Sequence, residues 1–141
     1  MSIRFFNEDV NFPGIRKRVV SAWLKEIISL HDKKVGDISI IFCSDSYLLD
    51  VNKEYLEHDY FTDIITFDYV EGNMISGDIF ISVDRVLENS ALFQVTFSEE
   101  LHRIMAHGVL HLLGYKDKCD EDKVMMTEKE NFSLQLLSDK F

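Results

Sequence analysis

Apolar positions change period several times along the chain. Ile15, Val19, Trp23, Ile27 and Leu30 recur at the spacing of a helix with one buried face, with Asn11 before Phe12-Pro13 predicting its start and His31 its end. Before it, Ser2 to Phe6 reads as a short first strand. After Gly36, Ile38, Ile40 and Phe42 alternate with Ser39, Ile41 and Cys43, as in a mostly buried strand. Ser44 or Asp45 can cap a second helix carrying Tyr47, Leu48, Val51 and Tyr55. Residues 63–69 (DIITFDY) and 78–82 (DIFIS) are β-branched and aromatic runs separated by Glu71-Gly72-Asn73, which predicts an antiparallel hairpin. Three helices complete the chain. The first covers Val83 to Phe93. The second opens on the capping-box pattern Thr96-Phe97-Ser98-Glu99, runs to Leu113 and stops at Gly114. The third is amphipathic through Val124, Met125, Phe132, Leu136 and Leu137. The order β α β α β β α α α predicts an α/β fold, α+β-like in its layering, with a mixed sheet of about four strands and helices packed on it.

Composition narrows this picture. A chain of 141 residues with 46% hydrophobic content and eleven Phe can bury a core, and the absence of repeats, low-complexity tracts and Pro/Gly/Ser linkers predicts a single domain over 1–141. The N-terminus lacks a long apolar run behind a basic start, and no segment approaches the ~20 apolar residues needed to span a bilayer. A soluble, cytoplasmic protein without a membrane partner is expected. Cys43 and Cys119 are too few for a disulfide framework and are expected as reduced thiols, Cys119 being also an alternative metal ligand. The net charge of −10 argues against general affinity for nucleic acid. Clustering offsets that argument: Arg16, Lys17 and Arg18 stand together, Lys33 and Lys34 follow, and acids concentrate between Asp117 and Asp122.

The chemistry lies in the stretch from Ala106 to Asp117. On a helix His107 and His111 sit one turn apart, about 6 Å along the axis, so both imidazoles can reach one ion. Gly114 can turn the chain back and bring Asp117 to the same point. Two histidines and one carboxylate leave a position for water, a known catalytic zinc set. If Leu101, Met105, Val109 and Leu112 form the core face, the histidines fall on another side beside Arg103. One Zn2+ per chain near the C-terminal end of this helix is expected, although nickel, iron or cobalt also suits such donors. Gly108 stands where the zinc peptidase pattern H-E-x-x-H puts its general base, which disfavours peptide hydrolysis. Zinc lowers the pKa of water to ~7 and a nearby cation stabilises charge on phosphate, so phosphodiester hydrolysis is the expected reaction.

His107-Gly108-Val109-Leu110-His111-Leu112-Leu113-Gly114-Tyr115 resembles, residue for residue, the motif H-G-x-L-H-L-x-G-Y of the YbeY family of bacterial rRNA maturation factors. Asn52, Tyr55, Asp59, the run Thr62 to Phe67, and Gly77-Asp78-Ile79 resemble further family segments, so the likeness spans about residues 40 to 130. It implies a metal-dependent, single-strand-specific endoribonuclease that matures rRNA, notably of the small subunit, and serves ribosome quality control. Its partners would be an rRNA precursor and the ribosome. Three departures stand out: Asp117 replaces a third histidine, Leu56 the arginine after the tyrosine, and Phe61 a proline. Arg103 is the candidate catalytic substitute for the missing cation, against simple pairing with Glu99. His58, Asp63 and Tyr115 are candidates for the substrate groove or for orienting a ligand, against solvated-loop, turn and packing roles respectively. His31 and His102 are assigned to surface or packing. Two other readings stay open: a ribosome-associated binding factor with a mainly structural metal, and a metallohydrolase of another substrate class.

Overall fold

The computed structural model describes residues 1–141 as β1 (Ile3–Asn7), α1 (Lys17–Leu30), β2 (Lys34–Cys43), α2 (Asp45–Leu56), β3 (Ile64–Asp68), β4 (Met74–Ser82), α3 (Val83–Leu92), α4 (Phe97–Leu112) and α5 (Asp120–Lys140). One sheet holds the strands in the order β1-β2-β4-β3. β2 runs parallel to β1 and β4, and β3 pairs antiparallel with β4, so the sheet is mixed as the element order predicts. Gly72, at φ +59°, turns the hairpin, and Glu71 and Met74 exchange both backbone hydrogen bonds across it.

Alternation along β2 and β4 sends side chains to two faces. Ile38, Ile40, Phe42, Ile79 and Ile81 enter the larger core with Trp23 and Leu24 of α1 and Met105 and Val109 of α4. On the opposite face Cys43 and Ile65 pack with Leu48 and Val51 of α2. Burial pushes the Cys43 thiol up to about 12, while Cys119 is exposed; both are free. No helix is long and apolar enough to cross a membrane.

α4 is the central helix, with Leu101, Ile104, Met105, Ala106, Gly108 and Val109 among its buried residues. Gly108 lets it approach the sheet: a Cβ there would stand 2.9 Å from Ile79 Cγ2 and 3.1 Å from Ile64 Cδ1. The core face is therefore wider than the four-residue stripe expected from the sequence. Beside that face a strip at four-residue spacing, Arg103, His107 and His111, stays half-buried.

Two elements differ from expectation. α1 begins at Lys17 rather than near Asn11, because Pro13-Gly14 interrupts the helix; Ile15 N–H instead turns back to the Pro13 carbonyl, and Phe12 packs edge-on against Phe42. In α5, Val124, Met125 and Phe132 are exposed, and the buried residues are Met126, Glu130 and Ser133. Its two buried polar side chains are both bonded: Glu130 reaches α4, and the Ser133 hydroxyl donates to the Lys129 carbonyl, while the Ser133 backbone carbonyl accepts from Trp23 Nε1 at 2.7 Å.

Candidate metal centre

Local signals at both ends of α4 fix where its histidines lie. The Thr96 hydroxyl caps the start by accepting from Glu99 N–H at 3.0 Å. At the other end Tyr115 N–H bonds to the Leu110 carbonyl and Gly114 N–H to the His111 carbonyl, with Gly114 at φ +104°. This is the paired bonding of a Schellman stop, and the positive φ explains the glycine. The chain then reverses direction, and Asp117 returns beside the last two turns.

His107 Nε2 and His111 Nε2 each lie 3.3 Å from the same oxygen, Oδ2 of Asp117. The three donor atoms fall within 4.8 Å of one another. Each Nδ1 is already engaged. His107 Nδ1 donates to Glu130 Oε2 at 2.6 Å, and His111 Nδ1 donates to the Tyr115 carbonyl at 3.0 Å. Both acceptors lack a proton to give, so each ring carries its hydrogen on Nδ1 and turns an Nε2 lone pair toward Asp117. A divalent cation of the zinc type fits this donor set. Burial works against charge on His107, but the bonded Glu130 and the carboxylates of Asp117 and Asp63 outweigh it and raise its pKa above the usual imidazole value. Burial likewise works against Glu130, and its bonds to His107 and Arg103 outweigh that and lower its pKa.

Glu130 was not legible as a site residue, and it is the acceptor that aims His107. Its signal was positional: with Met126 and Ser133 it forms an inward stripe at helical spacing, where a carboxylate needs a partner. Arg103 does not pair with Glu99. Its Nη1 donates to Glu130 Oε1 at 2.9 Å and its Nη2 to Asn131 Oδ1 at 2.9 Å. Asp63 bonds neither histidine through its side chain. It lines, with Arg103, His107, Glu100 and Glu130, a cavity of about 210 Å³ beside the donors, and burial raises its carboxyl pKa. Tyr115 contributes its carbonyl, while its hydroxyl donates to His31 Nε2 at 2.9 Å. His58 stacks on Tyr60 in the exposed segment after α2 and is not brought to the donors. Cys119 is the N-cap position of α5 and is not one of the converging ligands. His102 packs edge-on against Trp23, and burial lowers its pKa.

Fold and donor set together define a class: a layered α/β protein carrying a two-histidine, one-carboxylate site between its central helix and the loop behind it. Known sequences give that class a family. The profile of Endoribonuclease YbeY matches residues 5–138. An Endoribonuclease YbeY of Parabacteroides distasonis is 52% identical over 137 residues, covering 97% of this chain and 96% of that protein. One from Phocaeicola vulgatus is 48% identical over 136 residues, covering 96% and 99%. A solution structure from Thermotoga maritima superposes with a TM-score of 0.67 at 27% identity, over 96% of this chain and 88% of that one. The chain belongs to the YbeY endoribonuclease family.

Proposed function

We propose that this chain is a zinc-type metal-dependent endoribonuclease that cuts single-stranded RNA in the cytoplasm during maturation of ribosomal RNA, notably of the small subunit, and takes part in ribosome quality control. The observation that carries the reading is the convergence of His107 Nε2, His111 Nε2 and Asp117 Oδ2 in a member of this family. The metal, when bound, would supply Lewis acidity toward water and the phosphodiester. Glu130 and the Tyr115 carbonyl hold the Nδ1 protons, so both lone pairs stay aimed without a change of tautomer on binding. Arg103, tethered by Glu130 and Asn131, presents the cation on the cavity wall, and Asp63 faces the same space. His58 has no part in this reading, because Tyr60 occupies its ring.

Gly108 argues against the peptidase alternative on steric grounds as well. Its α-carbon faces Ile79 and Ile64, so a glutamate at this position would point into the sheet rather than at the donors. The test is metal analysis of the purified protein with cleavage of a single-stranded rRNA precursor, comparing the native chain with His111→Ala and Asp117→Ala. About one metal per chain and RNA cleavage, both lost in the variants, is the expected result. Metal without cleavage under any divalent ion would favour the ribosome-binding reading. Arg103→Ala with undiminished cleavage and RNA binding would remove Arg103 from the site.

A further inference from the structure

A second groove shares no residue with the candidate metal ligands. It holds about 640 Å³ and runs between β1 and α1. One wall is four consecutive β1 residues, Ile3 to Phe6, and the other is the stretch of α1 bearing Lys17, Arg18, Ala22 and Lys25. β1 ends the sheet, so one side of it pairs with nothing. Ile38 N–H bonds to the Ser2 carbonyl and Glu8 N–H to the Phe42 carbonyl. In the alternation of a parallel ladder the even-numbered residues of β1 therefore face β2, and the N–H and C=O of Ile3 and Phe5 point outward. Four cations, Arg4, Lys17, Arg18 and Lys25, line the groove and no acid does, in a chain whose net charge is −10.

We propose that this groove docks an extended, acidic peptide segment of a partner protein, which adds as a fifth strand beside β1. The free backbone offers donors and acceptors in alternation, and a peptide supplies both; a phosphodiester strand has no N–H for the carbonyls. Ala22 and the flank of Phe5 give alternate side chains an apolar floor, and the cations take carboxylates. A second copy of this chain is a poor occupant, since edge-to-edge pairing would set the two cation groups against each other. The site stands apart from the metal centre, so docking is expected with or without metal.

The test uses the full chain and a fluorescein-labelled heptapeptide of alternating glutamate and valine, followed by fluorescence anisotropy and amide exchange. Saturable binding is expected, with slowed exchange at the Ile3 and Phe5 amides. N-methylation of alternate peptide residues should weaken it by about tenfold or more through lost backbone bonds. The double variant Lys17→Glu/Arg18→Glu should weaken it similarly, and it should still bind zinc, which reports that it is folded. Three results overturn the proposal: no saturable binding by the native chain, equal binding of the N-methylated peptide, or binding of oligouridylate in place of the peptide that the double variant abolishes.

Discussion

α4 and α5 lie side by side and both build the candidate metal centre, yet they do it by opposite means. α4 carries two of the donors at a spacing that any reader of the sequence can see, on a helix otherwise buried by apolar residues. α5 carries none, exposes Val124 and Phe132, and turns Glu130 and Ser133 inward instead. Donor identity is local, because two histidines one turn apart converge wherever a helix forms. Donor orientation is tertiary: the bond from His107 Nδ1 to Glu130 spans 23 residues and exists only when the helices have docked.

Replacing a donor should have the largest effect. His111→Ala is expected to reduce zinc affinity by more than the ~100-fold upper range for an outer partner, read by competition against a chromophoric chelator. Glu130→Ala, which leaves every donor in place, should cost about 10–100-fold in the same assay. If it costs nothing, the division of labour between the helices is wrong. Gly108→Ala tests the close packing of α4 on the sheet, where a methyl would meet Ile79 and Ile64 within 3.1 Å; destabilisation of about 1–3 kcal/mol in urea unfolding is expected.

The smallest effect is a sign. The raised pKa of His107 stabilises the metal-free fold below the unfolded imidazole value of ~6.5 and loses that contribution as pH rises through the folded value. With excess zinc the proton competes with the metal, so stability should instead rise with pH across the same window. Thermal melts between pH 6.5 and 8 should therefore rise less steeply with pH, or fall, with chelator than with zinc, the lowered pKa of His102 contributing equally to both. Glu130→Gln should reduce the His107 contribution to the metal-free slope.

Strands, helix order and the hairpin were legible because each is encoded by neighbours: alternation in β2, the Thr96 cap and the Gly114 stop. The start of α1 was misplaced because Asn11-Phe12-Pro13 carries a start signal that Gly14 and the packing of Phe12 override. In α5 the apolar stripe holds only in its last turns, where Leu136 and Leu137 pack against the core; Val124, Met125 and Phe132 are exposed because the earlier turns are faced inward by partners on α4. For the same reason Glu99 on the same helix, the pairing weighed against a catalytic role for Arg103, is not the partner Arg103 takes: it bonds Glu130 and Asn131 of α5.

The buried Trp23 is the only tryptophan, and its indole N–H is held by a carbonyl of α5. The protein thus carries an intrinsic optical gauge of helix docking. Emission from a dry indole lies to the blue, and release of α5 would expose the ring and move it to the red. The neighbouring His102 imidazole stays neutral to a lower pH than usual, so the protonated form that quenches indole light is suppressed near neutrality. Separation of α5 from α1, and with it the loss of Glu130 from the metal centre, is consequently visible in unlabelled protein.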